Sequence, residues 1–316
     1  MSSPDVSICI TAYNHERYIA QCIESVLSQI DVGSMEILVG VDESSDNTAQ
    51  VVRQIAGDNP GVIDFLEHVP RLGCGLKNYK SLVRRAKGKL IAHLDGDDYW
   101  CKDKLKHQCT FMALHPNCPA VYTNAIVIEE QGRELGIFTR PKPARITLED
   151  LLLNGNFLNH SSVLYRSQYK QQMLDIELPY IDYQMHLRFA KQGDLGFIDW
   201  PLSVYRINTP SSVRITDNSH VVDLYLKAIL VETRDIDSSA LVQKSKAQFM
   251  AQQFWQSQFA LNPVGFWKWW WQLLQQDTSA IKLLFRAVTS VLCRSGYEIH
   301  GFCQRRGILA GTRFFH

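Results

Sequence analysis

An α/β fold with a mostly parallel sheet flanked by helices is predicted by three features of the sequence. Short β-branched apolar runs alternate with segments of helical periodicity over residues 1–100, short turns join them, and after about Val213 only helical patterns remain. The first run, VSICIT (Val6–Thr11), reads as a buried strand. Asn14 is placed to cap the helix after it, which carries Ile19, Cys22, Ile23, Val26 and Leu27 on one face. MEILVGV (Met35–Val41) is a second buried strand, followed by a helix that Asp46 or Asn47 caps and that turns Val51, Val52 and Ile55 inward. VIDFLEH (Val62–His68) is a third strand; Leu76, Tyr79, Leu82 and Val83 mark the next helix, ended by Gly88. KLIAHL (Lys89–Leu94) is the fourth strand. Such alternation builds right-handed βαβ units, whose ligands bind beyond the carboxyl ends of the strands. Beyond Val213, SHVVDLYLKAILVET, SALVQKSKAQFMAQQFWQSQFAL and IKLLFRAVTSVLCR read as helices.

The 316 residues are 46% hydrophobic and 21% charged, an ordinary globular balance that supports one large or two modest domains. A net charge of +1 advertises no nucleic acid partner. Eight cysteines without a C-x-x-C pair read as buried, reduced thiols of a cytosolic protein. The opening MSSPDVSICI lacks the basic and apolar regions of a signal peptide, and no window approaches the roughly 18–20 apolar residues of a membrane span. The expected location is the cytoplasm.

Three polar clusters follow strand ends: Thr11–Asn14, Asp42–Asp46, and Asp95-Gly96-Asp97-Asp98. For the first two a capped turn explains the residues as well as a ligand does. The third is harder to explain that way, because three carboxylates within four residues repel unless a cation or donors offset them. Oxygen ligands at a strand end suit Mg²⁺ or Mn²⁺, especially where a diphosphate supplies the remaining oxygens. A G-x-G-x-x-G fingerprint is absent, which disfavours a dinucleotide-dependent dehydrogenase.

Five segments in order, VSICITAYNHERYIAQCIESVLSQ, EILVGVDESSDNT, KGKLIAHLDGDDYW, YIDYQMHLRFAKQG and PLSVYRINTPSSV, resemble the family 2 glycosyltransferases. These are nucleotide-sugar enzymes of the GT-A (Rossmann-like) fold, and the similarity runs from about Val6 to Val213. The resemblance implies a catalytic domain over residues 1–213, with a nucleotide-binding half (1–100) and an acceptor half (101–213). A helical region then occupies 214–316. Asp95 and Asp97 match the D-x-D motif, which holds the ribose and a Mn²⁺ or Mg²⁺ on the donor diphosphate; Asp98 is a second candidate for the metal. Asp42 matches the carboxylate that accepts a hydrogen bond from uracil, and Tyr13, with Thr11 beside it, the aromatic that stacks on the base. Lys77 stands where many relatives carry Arg near the nucleotide, although a solvated helix lysine accounts for it equally. Two departures stand out: Asp42 alone survives of two usual aspartates, and Cys101-Lys102 replaces the usual proline after the tryptophan.

Asp182 aligns with the family's catalytic carboxylate at a helix start; taken alone, it reads as an N-cap. Ile181 stands where many relatives have Glu. The implied reaction is an inverting transfer of a sugar from a nucleotide-diphosphate donor, UDP expected, to a hydroxyl of a glycan or lipid-linked acceptor, in surface polysaccharide synthesis. His160 is a candidate acceptor-pocket residue. Arg206, before a Ser/Thr/Pro loop, is a candidate for the donor diphosphate. A structural histidine and a surface arginine are the alternatives. Rival readings are a GT-A-like nucleotidyltransferase, whose glycine-rich phosphate loop is missing, and a catalytically inactive nucleotide- or glycan-binding subunit. The aromatic run Phe266–Trp271, with Lys268, Lys282, Arg286, Arg305 and Arg306 nearby, reads either as helical core or as an anchor on an anionic membrane surface. The second reading makes the protein peripheral on the inner face of the cytoplasmic membrane.

Overall fold

The computed structural model of the chain describes residues 3–207, 209, 218–236, 239–260 and 271. Its first third contains β1 (Val6–Ala12), α1 (Ile19–Leu27), β2 (Met35–Asp42), α2 (Thr48–Asp58), β3 (Ile63–His68), α3 (Gly75–Arg85) and β4 (Leu90–Asp95). The four strands are parallel in the order β3-β2-β1-β4. All seven residues of β1 are buried, because helices cover both faces of the sheet. Ile8 and Ile10 share a cluster with Ile19, Ile23 and Val26 of α1 and Val52 of α2. Cys9 and Leu38 point the other way, into a cluster with Leu76, Tyr79, Leu82 and Val83 of α3. Burying each such aliphatic side chain is worth about 1.5–3 kcal/mol.

The caps differ in detail from expectation. Asn14 does not cap α1, whose cap position is Tyr18 with no side-chain cap. Asn14 instead adopts φ 54°, a conformation its short polar side chain tolerates, and its Oδ1 accepts from the Ser45 N–H at 2.8 Å. For α2 the acceptor is Asp46, whose Oδ1 takes the Thr48 N–H at 3.0 Å, while Asn47 in the cap position makes no capping bond. Helix α3 stops at Arg85, before Gly88, whose N–H is held by Ser7 Oγ at 2.7 Å.

The chain continues through β5 (Tyr99–Trp100), α4 (Lys104–Leu114), β6 (Ala120–Ile128), β7 (Glu134–Ile137), β8 (Arg145–Ile146), α5 (Leu148–Asn154), β9 (Leu164–Arg166), α6 (Lys170–Leu174), α7 (Asp182–Ala190) and β10 (Leu195–Arg206). The sheet reaches ten strands, ordered β3-β2-β1-β4-β9-β6-β10-β5, with β7 on β6 and β8 on β10. This second half is mixed. β6 and β10 are parallel, but β9 runs antiparallel to both β4 and β6. The reason is local: a short 3-10 turn, His160–Ser162, lies against the carboxyl end of β4, so the strand that leaves it runs backwards.

Helices α8 (Asn218–Glu232) and α9 (Ser239–Ala260) follow. Glu232 of α8 accepts from Arg188 Nε at 2.8 Å and Gln184 Nε2 at 2.9 Å on α7. Ser245 of α9 donates to Leu152 O of α5 at 3.2 Å. Val222, Leu226, Ile229, Ala247, Phe249 and Met250 join the cluster that holds Tyr79 and Tyr165. Through Met250 the helical region therefore adds to the core of the sheet domain. The boundary near Val213 and nearly all of the Phe266–Trp271 run lie outside the described residues; Trp271 alone is described, and it is exposed. No described helix is long and apolar enough to cross a membrane.

Candidate active site

Thr11, Asp42 and Asp95 reach one rim because β1, β2 and β4 are parallel and in register, Thr11 lying opposite Asp95. Thr11 Oγ1 donates to Asp95 Oδ1 at 3.0 Å, and Ser161 Oγ to Asp95 Oδ2 at 3.3 Å. His93, two residues back and so on the same strand face, brings Nε2 to 3.1 Å from Asp95 Oδ1. Burial pushes the Asp95 carboxyl up, but His93, His160 and the Thr11 hydroxyl outweigh it and hold Asp95 well below the usual carboxylate range.

The acidic turn folds on its own backbone: the Gly96 N–H donates to Thr11 O at 2.8 Å and the Asp98 N–H to Asp95 O at 3.0 Å. Gly96 is required for close approach, since a Cβ there meets His15 Nδ1 at 2.8 Å and Ala12 Cβ at 3.0 Å. Asp97 Oδ2 accepts from Thr209 Oγ1 at 3.0 Å and lies 3.8 Å from His15 Nε2. Asp98 is buried; its Oδ1 accepts the Arg206 N–H at 2.8 Å, and its buried Oδ2 has no hydrogen-bond partner within the geometric limit among the described residues. Burial first, then repulsion by Asp97 and Asp95, pushes Asp98 well up, and burial likewise raises Asp97 despite His15. This donor set is short of positive charge and offers only oxygen, the chemistry of a hard divalent cation. Among the described residues no group of three or more His, Cys, Asp or Glu is placed to hold a metal ion by itself. A Mg²⁺ or Mn²⁺ here would take one or two of these carboxylates and complete its shell from phosphate and water.

Asp42 is buried and its carboxylate accepts the Leu72 and Gly73 N–H groups at 2.7 and 2.9 Å, so it also organises the turn before α3. Arg71 in that turn places its guanidinium 3.8 Å from the Tyr13 ring centre and its Nε 3.7 Å from Asp42 Oδ2. Lys77 is exposed and reaches Leu72 O of the same turn at 3.4 Å.

Across the rim, Asp182 is the first residue of α7, not its cap; the cap position is Ile181. The Asp182 carboxylate bonds elsewhere: Oδ1 accepts from Tyr180 Oη at 2.8 Å and lies 3.9 Å from His160 Nε2. The His160 ring lies 4.2 Å from that of His93, so the two histidines bridge Asp182 and Asp95. Burial lowers the His160 pKa despite the Asp182 carboxylate, which keeps the ring neutral.

Arg206 is buried rather than on the surface. Its guanidinium donates to Asp97 O at 3.0 Å, Glu130 O at 2.9 Å and Gln21 Oε1 at 3.0 Å, and it packs on Tyr18. It braces the acidic turn, and the alternative of a surface arginine gives way to that buried position. A cleft of about 720 Å³ lined by Glu36, Arg84, Lys87 and Lys170 opens at the amino ends of the strands, away from these residues.

Sequence reasoning missed His15, Arg71, His93, Ser161, Tyr180 and Thr209. Two had a usable signal: His93 and Tyr180 each sit two residues before a singled-out aspartate in extended chain, which places them on the same side. The others come from segments distant in the chain.

A βαβ sheet with an acidic turn at its central strand end and a facing acid defines the class of GT-A glycosyltransferases, and the neighbours in fold agree. TarS of Staphylococcus aureus in complex with UDP-GlcNAc matches with a TM-score of 0.60 at 19% identity, over 79% of this chain and 72% of that one. The mannosyltransferase PcManGT of Pyrobaculum calidifontis, in complex with GDP-Man and Mn²⁺, matches with 0.60 at 15% identity, over 94% and 83%. The sequence profile of Glycosyl transferase family 2 matches residues 7–172, and the chain belongs to that family. WfgD of Escherichia coli, named UDP-Glc:alpha-D-GlcNAc-diphosphoundecaprenol beta-1,3-glucosyltransferase, is 31% identical over 212 residues, 65% of this chain and 78% of its own. An uncharacterised protein of Mycobacterium tuberculosis is 28% identical over 202 residues, 64% of this chain; the chain spans only 58% of that relative's length.

Proposed function

We propose that the protein is an inverting, metal-dependent glycosyltransferase that moves a sugar from a UDP-sugar to a hydroxyl of a lipid-linked glycan. The observation that carries this is the pairing across one rim of the Asp95–Asp98 turn with a half-exposed Asp182 that caps no helix. Asp95 holds the donor ribose, Asp42 accepts from the uracil imide, and Tyr13 supplies the stacking face. A base on that face displaces Arg71, a surface residue with a 47% exposed side chain. Asp97, with Asp98 beside it, would hold the Mn²⁺ or Mg²⁺, which supplies Lewis-acid neutralisation of the leaving diphosphate. Asp182 takes the proton of the acceptor hydroxyl as its oxygen attacks the anomeric carbon from the face opposite the leaving group, which inverts the configuration. The lipid-linked acceptor is suggested by the name of the Escherichia coli relative.

The test is thermal stabilisation by UDP-glucose, UDP-GlcNAc, GDP-mannose and dTDP-glucose with and without Mn²⁺, followed by UDP release onto GlcNAc-diphosphoundecaprenol. Metal-dependent stabilisation by a UDP-sugar and acceptor-dependent turnover are expected. Binding without any turnover returns the inactive-subunit reading.

We further propose that the run Phe266–Trp271, with its basic neighbours, docks the protein on the inner face of the cytoplasmic membrane. Co-sedimentation with anionic liposomes at low salt should remove the full chain from the supernatant. A variant with Trp269, Trp270 and Trp271 changed to Ser should remain soluble and folded. A wild-type chain that stays in the supernatant rules the docking out.

A further inference from the structure

Ile181, the neighbour of Asp182, is apolar and offers the carboxylate no donor, yet something must still orient Asp182. We propose that Tyr180 is a positioning residue for Asp182: its hydroxyl engages Oδ1 and leaves Oδ2 to take the acceptor's proton. The inference rests on the reading of Asp182 as the base.

Ile181 is in extended backbone, φ −140° and ψ 148°, so the side chains before and after it leave the chain on the same side. That alternation brings Tyr180 Oη to 2.8 Å from Asp182 Oδ1. His160 Nε2 flanks the same oxygen at 3.9 Å, too far for a hydrogen bond. No described residue bonds to Oδ2, and the Asp182 side chain is 44% exposed. A carboxylate held at one oxygen by a charge-assisted bond loses its free rotation, and its second oxygen then points at a fixed place.

The surroundings leave that assignment to Tyr180. Around Asp182 lie Tyr122 from β6, Tyr205 from β10, Tyr225 from α8 and His160 from the 3-10 turn. Burial keeps the tyrosine hydroxyls protonated, that of Tyr225 being pushed up to about 12, and keeps His160 neutral. None of these donates to Asp182; among the described residues Tyr180 alone does. In the transfer step the acceptor O–H bond breaks and its proton passes to Oδ2. The oxygen's electron pair forms the new bond to the anomeric carbon, and the bond to the diphosphate oxygen breaks with its pair leaving on the diphosphate.

Tyr180→Phe keeps the ring and deletes only the donor. UDP release from UDP-glucose in the presence of GlcNAc-diphosphoundecaprenol is measured over a range of donor concentrations for the wild type, Tyr180→Phe, Asp182→Asn and the double variant. For Tyr180→Phe, kcat falls about ten-fold with donor KM unchanged, because the carboxylate has lost the donor that fixes it in place. The double variant is as slow as Asp182→Asn alone. A Tyr180→Phe enzyme with the wild-type kcat, or one whose fall in kcat is matched by a change in donor KM, overturns the positioning role and leaves the base assignment standing if Asp182→Asn is slow. Wild-type speed in Asp182→Asn, or no turnover by the wild type, overturns the underlying reading and the inference with it.

Discussion

Asp97→Ala abolishes metal-dependent donor binding and leaves the fold intact. A donor present at about 100 times its Kd stabilises the native state by about 2.7 kcal/mol, which for a domain of this size raises Tm by about 5–10 °C. In Asp97→Ala that increment with UDP-sugar and Mn²⁺ should fall to within the scatter of the measurement. The Tm without ligand should not drop. Asp97 gives up the bond from Thr209 and the approach of His15 at 3.8 Å, while burial and the neighbouring Asp95 already oppose its charge. Removing it relieves repulsion on the buried Asp98. An unchanged Tm increment with donor and Mn²⁺ means that the acidic turn does not hold the metal–diphosphate.

Asp182→Asn slows transfer by roughly 10²- to 10⁴-fold with donor affinity unchanged. The substitution is close to isosteric and keeps an acceptor for Tyr180 Oη, so geometry survives while proton uptake is lost. The side chain caps no helix, so little stability goes with it. The lost favourable term is the charge near the amino end of α7, about 0.3–1 kcal/mol. A variant turning over near the wild-type rate places the base elsewhere. Acceptor-dependent UDP release under saturating donor decides it, because that condition isolates the step in which the hydroxyl is deprotonated.

The order of the first seven elements was legible because burial imprints a period on the chain. β1 and β2 are apolar without alternation since helices lie on both faces, and α1 shows its inward stripe directly in Ile19, Cys22, Ile23 and Val26. The acidic turn was legible for an electrostatic reason, since carboxylates rarely crowd without a counter-charge. Caps were less legible. Asn14, Asp46 and Asn47 all have capping chemistry, and only the packing of the loops against each other selected Asp46 for the helix and gave Asn14 to Ser45.

By itself, then, the sequence determined the βαβ order, the strand ends at which Thr11, Asp42 and Asp95 stand, and the acid at the start of α7, all of which are written in spacing along a few consecutive residues. The tertiary structure alone decided which polar atoms remain open for chemistry. Arg206 is spent on Asp97 and Gln21, partners 109 and 185 residues away. Asp42 is tied to a turn 30 residues on, and Arg71 covers Tyr13. The direction of β9 followed from where the His160–Ser162 turn meets β4. Tyr180 took one oxygen of Asp182, and no other described residue bonds to the second. Hydrogen bonds have a reach of about 3 Å in space and none defined along the chain, so no local period records which donor will meet which acceptor.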